Sequence, residues 1–391
     1  MSDRLRSLGR ESNLVAVLDR LAAAGPRSRR VLGRELSLSP ASVSRLAEAL
    51  LSAGLVEEVG KVGSGRGRPH TLLSVDEEAA VLVGVSVRSV SVRLRLASLT
   101  GRPVHDMRVD RVQGAAADLV AQLRSLVAEA AGAHAPGTPI AAVAVGISGA
   151  WDARARRVLA APNLPGLEGE DLEAALREGL GDLVVGGLVV LDNDINLAAL
   201  GEQACGAARG VADFYYVSLG SGVGGAAVLD GRLRRGSHGL TGELGYLPVG
   251  PAGASVPLES VVGRRCLERW VVERRGPRVG DGRAAHEDVD VFALLEDGDE
   301  ELCEHVAKHV AIALAGVVVA VDPELIVLGG GIGRQSEAWS ARVRRHLAAL
   351  VPVVPEVVPT RVGRDAALVG AVAHAGELGR ANMVAHRLGR A

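Results

Sequence analysis

An apolar run at residues 188–191 ends abruptly in Asp192-Asn193-Asp194, and a helical pattern follows to about residue 208. Carboxylate and amide groups at such a junction can hold hydroxyls by hydrogen bonds, and a carboxylate there can take a proton from one. Downstream, the β-rich run 214–219 is broken by Gly220-Ser221-Gly222-Val223-Gly224-Gly225. A loop of this kind lets backbone N–H groups approach a phosphate without Cβ obstruction. Glu243 follows in a second glycine-rich turn, Gly242-Glu243-Leu244-Gly245. Acidic groups at a strand end beside a glycine cradle predict a polyhydroxylated ligand next to a phosphate site.

These groups need a scaffold, and the chain supplies alternating strands and helices. Residues 80–87 and 90–97 read as strands, with 104–109 a third after the turn Thr100-Gly101-Arg102-Pro103. Residues 115–131 predict a helix, and the Ala/Val/Ile run 140–147 a buried strand. Residues 151–159 read as a hairpin and 167–180 as a helix; Asp230-Gly231 fits a two-residue hairpin turn. Residues 257–272 and 288–321 predict helices, 324–328 a strand, Gly329-Gly330-Gly331 a tight loop and 336–350 a helix. Residues 353–358 are strand-like, with Pro355 confining them to a sheet edge or bulge, and Asp365 starts a closing helix. Strand meanders alternating with helices in two successive blocks predict a two-lobed α/β body with a cleft between the lobes.

The first 75 residues differ in kind. Leu14, Val17, Leu18 and Leu21 fall on one face of a helix that Gly25-Pro26 stops. A short second helix near 28–35 turns Val31 and Leu32 inward. Ser39 then caps a third helix with Pro40 at its first position. There Val43, Leu46, Ala47 and Leu50 form the buried stripe, and Ala41, Ser42, Ser44, Arg45 and Glu48 point outward. Residues 55–59 and 71–73 predict two strands around a basic tip holding Arg66 and Arg68. Three helices and a basic hairpin make a winged helix-turn-helix, whose third helix enters the major groove. Ser39, Ala41, Ser42 and Ser44 are then candidates for base-edge or phosphate contact and Arg45 for a guanine. Arg66 and Arg68 are candidates for a minor groove or phosphates. The other reading is a small protein-interaction domain with a solvated basic loop. Charge favours operator DNA as partner: residues 1–75 carry 12 Lys/Arg and 7 Asp/Glu, a net of +5, against −7 for the remainder.

At 391 residues the chain is too long for one ordinary core, and 48% apolar content supports full folding. Cys205, Cys266 and Cys303 share no ligand-type spacing and read as buried small residues. The polar first ten residues and the lack of about 18 consecutive apolar ones predict a cytoplasmic protein with no membrane partner.

The chain resembles the ROK family (repressors, open reading frames, kinases) over about residues 10–380. It is most similar to the branch of transcription factors with a winged helix, related to xylose- and N-acetylglucosamine-responsive repressors. The resemblance rests on LDNDINLAALGE, VSLGSGVGGAAVLDGRLRRGSHGLTGELGYLPV and DPELIVLGGGI, with APNLPGL at 161–167. It implies an α/β fold: a winged helix-turn-helix at 1–75 on a two-lobed actin-like ATPase (ribonuclease H-like) sugar-kinase body. The first lobe is expected at 76–190, closed by 365–391, and the second at 191–364. Sugar lies between lobes in such proteins, which are dimers or tetramers.

Carried over by motif, Asp194 matches the family's catalytic Asp and Asn193 its neighbouring sugar ligand, although both residue types also cap helices. Glu243 and Glu259 match sugar-binding carboxylates, and Gly149 and Asn163 are further candidates for the same pocket. Three departures stand out. The family's first phosphate loop, Asp-x-Gly-Gly-Thr, is replaced here by Ser86, Arg88 and Ser89, so ATP binding is not expected. Tyr246 stands where the family has a His that contacts sugar and zinc; it remains a possible sugar hydrogen-bond donor. The segment 249–257 lacks the zinc-binding cysteines, so no cofactor is expected. The expectation is a regulator, a repressor of carbohydrate-metabolism genes that senses a sugar or sugar phosphate through a degenerate kinase body. The alternatives are a bifunctional sugar kinase with a DNA-binding head, and a ligand-independent regulator with a vestigial cleft.

Overall fold

The computed structural model describes residues 2–62, 70–159, 161, 163–250, 254–275 and 289–389. Two compact units emerge. Unit 1 comprises Met1–Gly149, Arg156–Asp192 and Ala371–Ala391; unit 2 comprises Ala150–Ala155 and Asn193–Gly370.

Unit 1 opens with a head of α1 (Ser2–Ala24), β1 (Arg27–Ser28), α2 (Arg29–Glu35), α3 (Pro40–Ser52), β2 (Val56–Val62) and β3 (His70–Val75). Its small sheet has the order β1-β3-β2, with β2 and β3 antiparallel. Leu14, Val17, Leu18 and Leu21 of α1, and Val43, Leu46, Ala47 and Leu50 of α3, are buried, as the spacing requires. Ser28 and Ser39 cap α2 and α3, accepting from Val31 N and Ser42 N. The first helix runs from Ser2 to Ala24 and stops at Gly25, which has φ +73°.

The rest of unit 1 is a lobe built on β4 (Val81–Val87), β5 (Ser91–Ser98), β6 (Pro103–Asp110), α4 (Ala116–His134) and β7 (Ile140–Ile147). Along the chain β8 (Ala150–Asp152), whose residues fall in unit 2, comes next, and unit 1 resumes with β9 (Arg157–Leu159), α5 (Leu172–Leu180) and β10 (Val189–Asn193), of which Asn193 falls in unit 2. Sheet order is β10-β7-β4-β5-β6. β4 pairs antiparallel with β5 and parallel with β7, and β4 and β7 are buried at every residue. Continuous apolar runs are what strands covered on both faces demand.

Unit 2 contains α6 (Asp194–Cys205), β11 (Phe214–Leu219), β12 (Val223–Leu229), β13 (Arg232–Arg234), β14 (Pro248–Val249) and β15 (Val256–Pro257). It continues with α7 (Glu259–Val262), α8 (Arg264–Arg275), α9 (Val291–Glu296), α10 (Glu300–Val321), β16 (Leu325–Gly329), α11 (Gly330–Gly333), α12 (Ser340–Leu347) and β17 (Glu356–Pro359). Its sheet order is β13-β12-β11-β16-β17. In both sheets the first strand in chain order is central, the second and third lie antiparallel on one side, and the fourth pairs parallel on the other. The same five-strand plan therefore occurs twice. The last helix, α13 (Ala366–Leu388), begins with residues of unit 2 and continues with residues of unit 1.

Several expected helices divide or shorten where turn chemistry outweighs apolar periodicity. Residues 257–272 break at Gly263, where a Cβ would lie 2.6 Å from the Glu259 carbonyl oxygen. Residues 288–321 break at Asp297-Gly298-Asp299: Gly298 has φ +75° and Asp299 caps α10 through Leu302 N. Asp171 caps α5, so that helix starts at Leu172 rather than 167. The 336–350 helix is a 3₁₀ turn and then α12, with Trp339 buried at the junction. Gly330–Gly333 forms a single helical turn where a tight loop was expected. Of the cysteines only Cys303 is buried; Cys205, at the C-terminal end of α6, is exposed and Cys266 half-buried. Helix α10 is long and apolar enough to cross a membrane by length and composition, but 56% of its most apolar window is buried in the unit 2 core.

Candidate functional site

In unit 2 the expected ligand groups gather around one glycine loop. Asn193 ends β10 and caps α6, its Oδ1 accepting from Ile195 N at 2.7 Å and Asn196 N at 3.3 Å. Asp194, the first residue of α6, is half-buried. The Cδ1 of Ile195 lies 2.5 Å from where a Cβ of Gly224 would stand, so only glycine lets the first turn of α6 approach the loop. Helix α6 is tied down at its other end by Glu202, which is fully buried. Its carboxylate accepts from Ala207 N (2.7 Å), Val362 N (3.0 Å), Arg361 N (3.3 Å) and the Thr360 hydroxyl. A buried carboxylate needs such donors to offset its lost hydration.

The loop between β11 and β12 is held from below and in front. Gly225 N donates to Gly242 O at 2.6 Å; Gly242 has φ +97°, and a Cβ on it would lie 1.9 Å from the Gly225 oxygen. This packing seats Glu243 against the loop. Glu259, on the first turn of α7, accepts from Val223 N at 2.9 Å, and its Oε2 lies 3.3 and 3.2 Å from the Cβ positions that Gly222 and Gly245 lack. Burial pushes the Glu243 carboxyl above the usual range, and the charge of Glu259 adds to the rise. Tyr215, 3% exposed and stacked on Gly225, has its phenol pushed up by burial and by Glu243. Glu243 and Glu259 thus lie against the glycine loop with Tyr215 beneath, and the first turn of α6, which Asn193 and Asp194 open, approaches it through Ile195. Tyr246 follows in the turn Leu244–Tyr246 and is 69% exposed. Gly149 and Asn163 belong to unit 1: a Cβ on Gly149 would lie 2.7 Å from that of Ala161, and Asn163 is exposed.

The corresponding turn of unit 1 is built differently. Ser86 is 2% exposed, and its hydroxyl has no hydrogen-bond partner among the described residues. Arg88 N donates to Ser91 O at 2.9 Å, closing residues 88–90 tightly. The Ser89 carbonyl accepts from Arg111 Nε and from Gln113 Nε2, both at 3.0 Å, and Arg111 is itself buried. A nucleotide phosphate with magnesium needs free N–H groups and a carboxylate at this turn. A serine, a closed hairpin and a carbonyl clamped by a guanidinium do not fit that group. Zinc fits no better: Tyr246 takes the place of its histidine, and residues 249–257 contain no cysteine.

In the head, Ser39 and Ser42 are engaged with each other at the cap (Oγ–Oγ 2.9 Å), while Ala41, Ser44 and Arg45 are exposed. Arg66 and Arg68 lie outside the described residues. Three carboxylates of the head are neutralised within it: Glu35 pairs with Arg20 and Arg27, and Glu48 and Glu58 with Arg29. Arg30, Arg34 and Arg45 are exposed and have no ion-pair partner among the described residues. Arg30 and Arg34 were not singled out from the sequence, although their four-residue spacing on a short helix was visible there. Arg111 carried no local signal at all.

The ROK family model matches residues 84–377. The chain belongs to the ROK family. Among its relatives, the xylose repressor of Caldicellulosiruptor bescii is 25% identical over 335 residues, covering 81% of this chain and 82% of that protein. A solved ROK family transcriptional regulator, a homologue of the E. coli MLC protein, superposes with a TM-score of 0.79 at 23% identity, covering 97% of this chain and 98% of that one. The ROK hexokinase of Thermus thermophilus superposes with a TM-score of 0.60 at 31% identity, covering 75% and 96%. The chain spans only 34% of the length of the NanE/NanK enzyme of Brucella suis and 62% of a glucokinase of Halalkalibacterium halodurans.

Proposed function

We propose that this protein is a sugar-responsive DNA-binding repressor whose family body senses a sugar and no longer transfers phosphate. What carries the reading is the presence, on one chain, of a winged helix-turn-helix head and a ROK body whose first phosphate turn is closed by Arg111 and Gln113. The likeness in fold to a ROK regulator covers 97% of the chain and so runs through the head as well as the body. Asn193, Asp194, Glu243 and Glu259 are the sugar ligands. The Asn193 oxygen is used by the cap, and the carboxylates accept from hydroxyls. Tyr246 completes the set of contacts within unit 2. Arg45 reads a base, Ser44 and Ala41 lie beside it, and Arg30, Arg34, Arg66 and Arg68 hold phosphates. Sugar shifts operator affinity by binding one state of a homodimer or homotetramer more tightly than another.

Calorimetry against pentoses, hexoses, amino sugars and their phosphates, with DNA affinity measured in parallel, tests the proposal. One sugar is expected to bind and to change affinity for a site selected from random DNA. Glu243→Gln and Asp194→Asn should weaken that sugar about 10- to 100-fold, the worth of one hydrogen bond to a charged group. On the DNA side, Arg45→Ala should alter sequence preference, whereas Arg34→Ala or Arg66→Ala should weaken binding to all sequences and lower the salt slope by about 1. Sugar-dependent ADP release abolished by Asp194→Asn would instead establish a kinase, the activity named for several relatives. No sugar binding, with DNA affinity unmoved by any of the panel, would leave a ligand-independent regulator.

A further inference from the structure

Helix α13 joins the head to the first lobe within unit 1. Glycines bring it close to the sheet: a Cβ on Gly379 would lie 2.8 Å from Leu82 Cδ2 and 3.1 Å from Ala141 Cβ, and one on Gly84 would lie 2.7 Å from Val372 Cγ2. Asn382 fixes the helix there, its amide donating to Ala141 O at 2.9 Å and Val185 O at 2.6 Å. Two arginines then reach both the head and the lobe. Arg380 donates through Nε to Asp19 of α1 at 2.5 Å and through Nη1 to Leu99 O, between β5 and β6, at 3.0 Å. Arg387 donates through Nη1 to Ala53 O (2.7 Å) and Gly54 O (2.9 Å), and through Nη2 to Ala79 O, just ahead of β4, at 2.8 Å.

Ala53 is the C-cap of α3, the helix assigned to the major groove. The last carbonyls of a helix lack intrahelical partners and carry the negative end of its dipole, so a guanidinium there both satisfies and stabilises them. Because the same guanidinium is bonded to Ala79, the C-terminal end of α3 cannot tilt away from the lobe without breaking charged hydrogen bonds. Asp19 on α1 adds a second point, and two points fix an angle where one would leave a pivot. The upstream end of α13 is equally confined: a Cβ on Gly370 would lie 1.6 Å from Leu197 O on α6, the helix that Asn193 and Asp194 head.

We propose that Arg387 and Arg380 are positioning residues for DNA reading, locking α3 at a fixed angle to the first lobe so that paired heads in an oligomer match an operator. The inference rests on the DNA-binding reading above. Its test uses the full-length protein and a site selected from a random DNA pool with the wild type. Arg387→Ala should lower the preference for that site over random DNA by about tenfold, since loss of preorganisation weakens the fitted complex most. Random-DNA affinity and its salt slope should stay unchanged, because no phosphate-binding charge is removed. Hydrogen exchange at residues 53–56 should rise in the free variant, Arg387→Lys should recover little, and Arg380→Ala should act in the same direction. Unchanged preference, or equal loss on both DNAs, in the Arg387 and Arg380 variants would overturn the proposal while leaving the DNA-binding function standing. A wild type with no preference among DNA sequences would overturn that function, and this role with it.

Discussion

The two halves of the body use one strand plan and end its first hairpin in opposite ways. After β11 the chain turns through Gly220-Ser221-Gly222, where the Gly220 carbonyl accepts from Arg264 N and the Glu259 carboxylate lies against Gly222. After β4 it turns through Arg88-Ser89-Val90, and a buried arginine seals the turn through its carbonyl. At the first turn Val223 N donates to the Glu259 carboxylate; at the second Arg88 N donates to Ser91 O. The comparison separates two demands that one motif usually meets together. Glycines at 222, 224, 225 and 242 are required by packing on Glu259, Ile195, Tyr215 and each other. They are retained for the fold whether or not a phosphate is ever bound.

The largest expected effect follows from that point. Gly242→Ala should cost about 3 kcal/mol or more, since its Cβ would meet a backbone oxygen at 1.9 Å in a left-handed conformation. In the other turn Ser89→Gly should change stability by less than about 1 kcal/mol. Thermal or urea unfolding of the two variants checks the contrast, and similar losses would end it. Removing the seal should matter more than the serine: Arg111→Ala should cost about 1–3 kcal/mol by leaving the Ser89 carbonyl short of its buried donor. Magnesium-ATP at millimolar concentration should not raise the melting temperature, because one glycine turn alone does not complete a nucleotide site. A clear rise would show that the two turns are less different than their geometry indicates.

The smallest effect concerns pH. The Glu243 carboxyl is raised in the folded state, so its neutral form is favoured there. Its contribution to stability is full below the ordinary carboxylate value and is lost as pH rises through the raised one. Glu243→Gln should therefore melt higher than the wild type near neutral pH, with the gap closing toward pH 4. A gap that widens on acidification would reverse the assigned direction.

Much of this was legible in the linear chain. Local signals placed Ser39 at its cap, the Asp230-Gly231 turn with φ values of +54° and +71°, and β7 and β11 at their observed bounds. The motif around Asn193, Asp194 and Glu243 was visible because a strand end, a helix cap and a glycine turn each leave a local mark. Helix continuity was overestimated wherever an Asp or Gly inside an apolar pattern chose a cap, as at Asp299 and Gly263.

The sequence alone determined the order of elements, the basic head on an acidic body, the family and the loss of the first phosphate motif, because composition, periodicity and turn chemistry are short-range properties. Tertiary structure decided what each conserved-looking group is doing. It turned Glu202 from part of a motif into a buried anchor for residues 360–362, made Glu259 the acceptor for the glycine loop, and brought Arg111 to Ser89 across 22 residues. Arg387 reaches Ala53 across 334 residues, and no spacing rule covers such a distance. Hydrogen bonds between remote segments depend on how sheets and helices pack, and packing is decided only when the whole chain has folded.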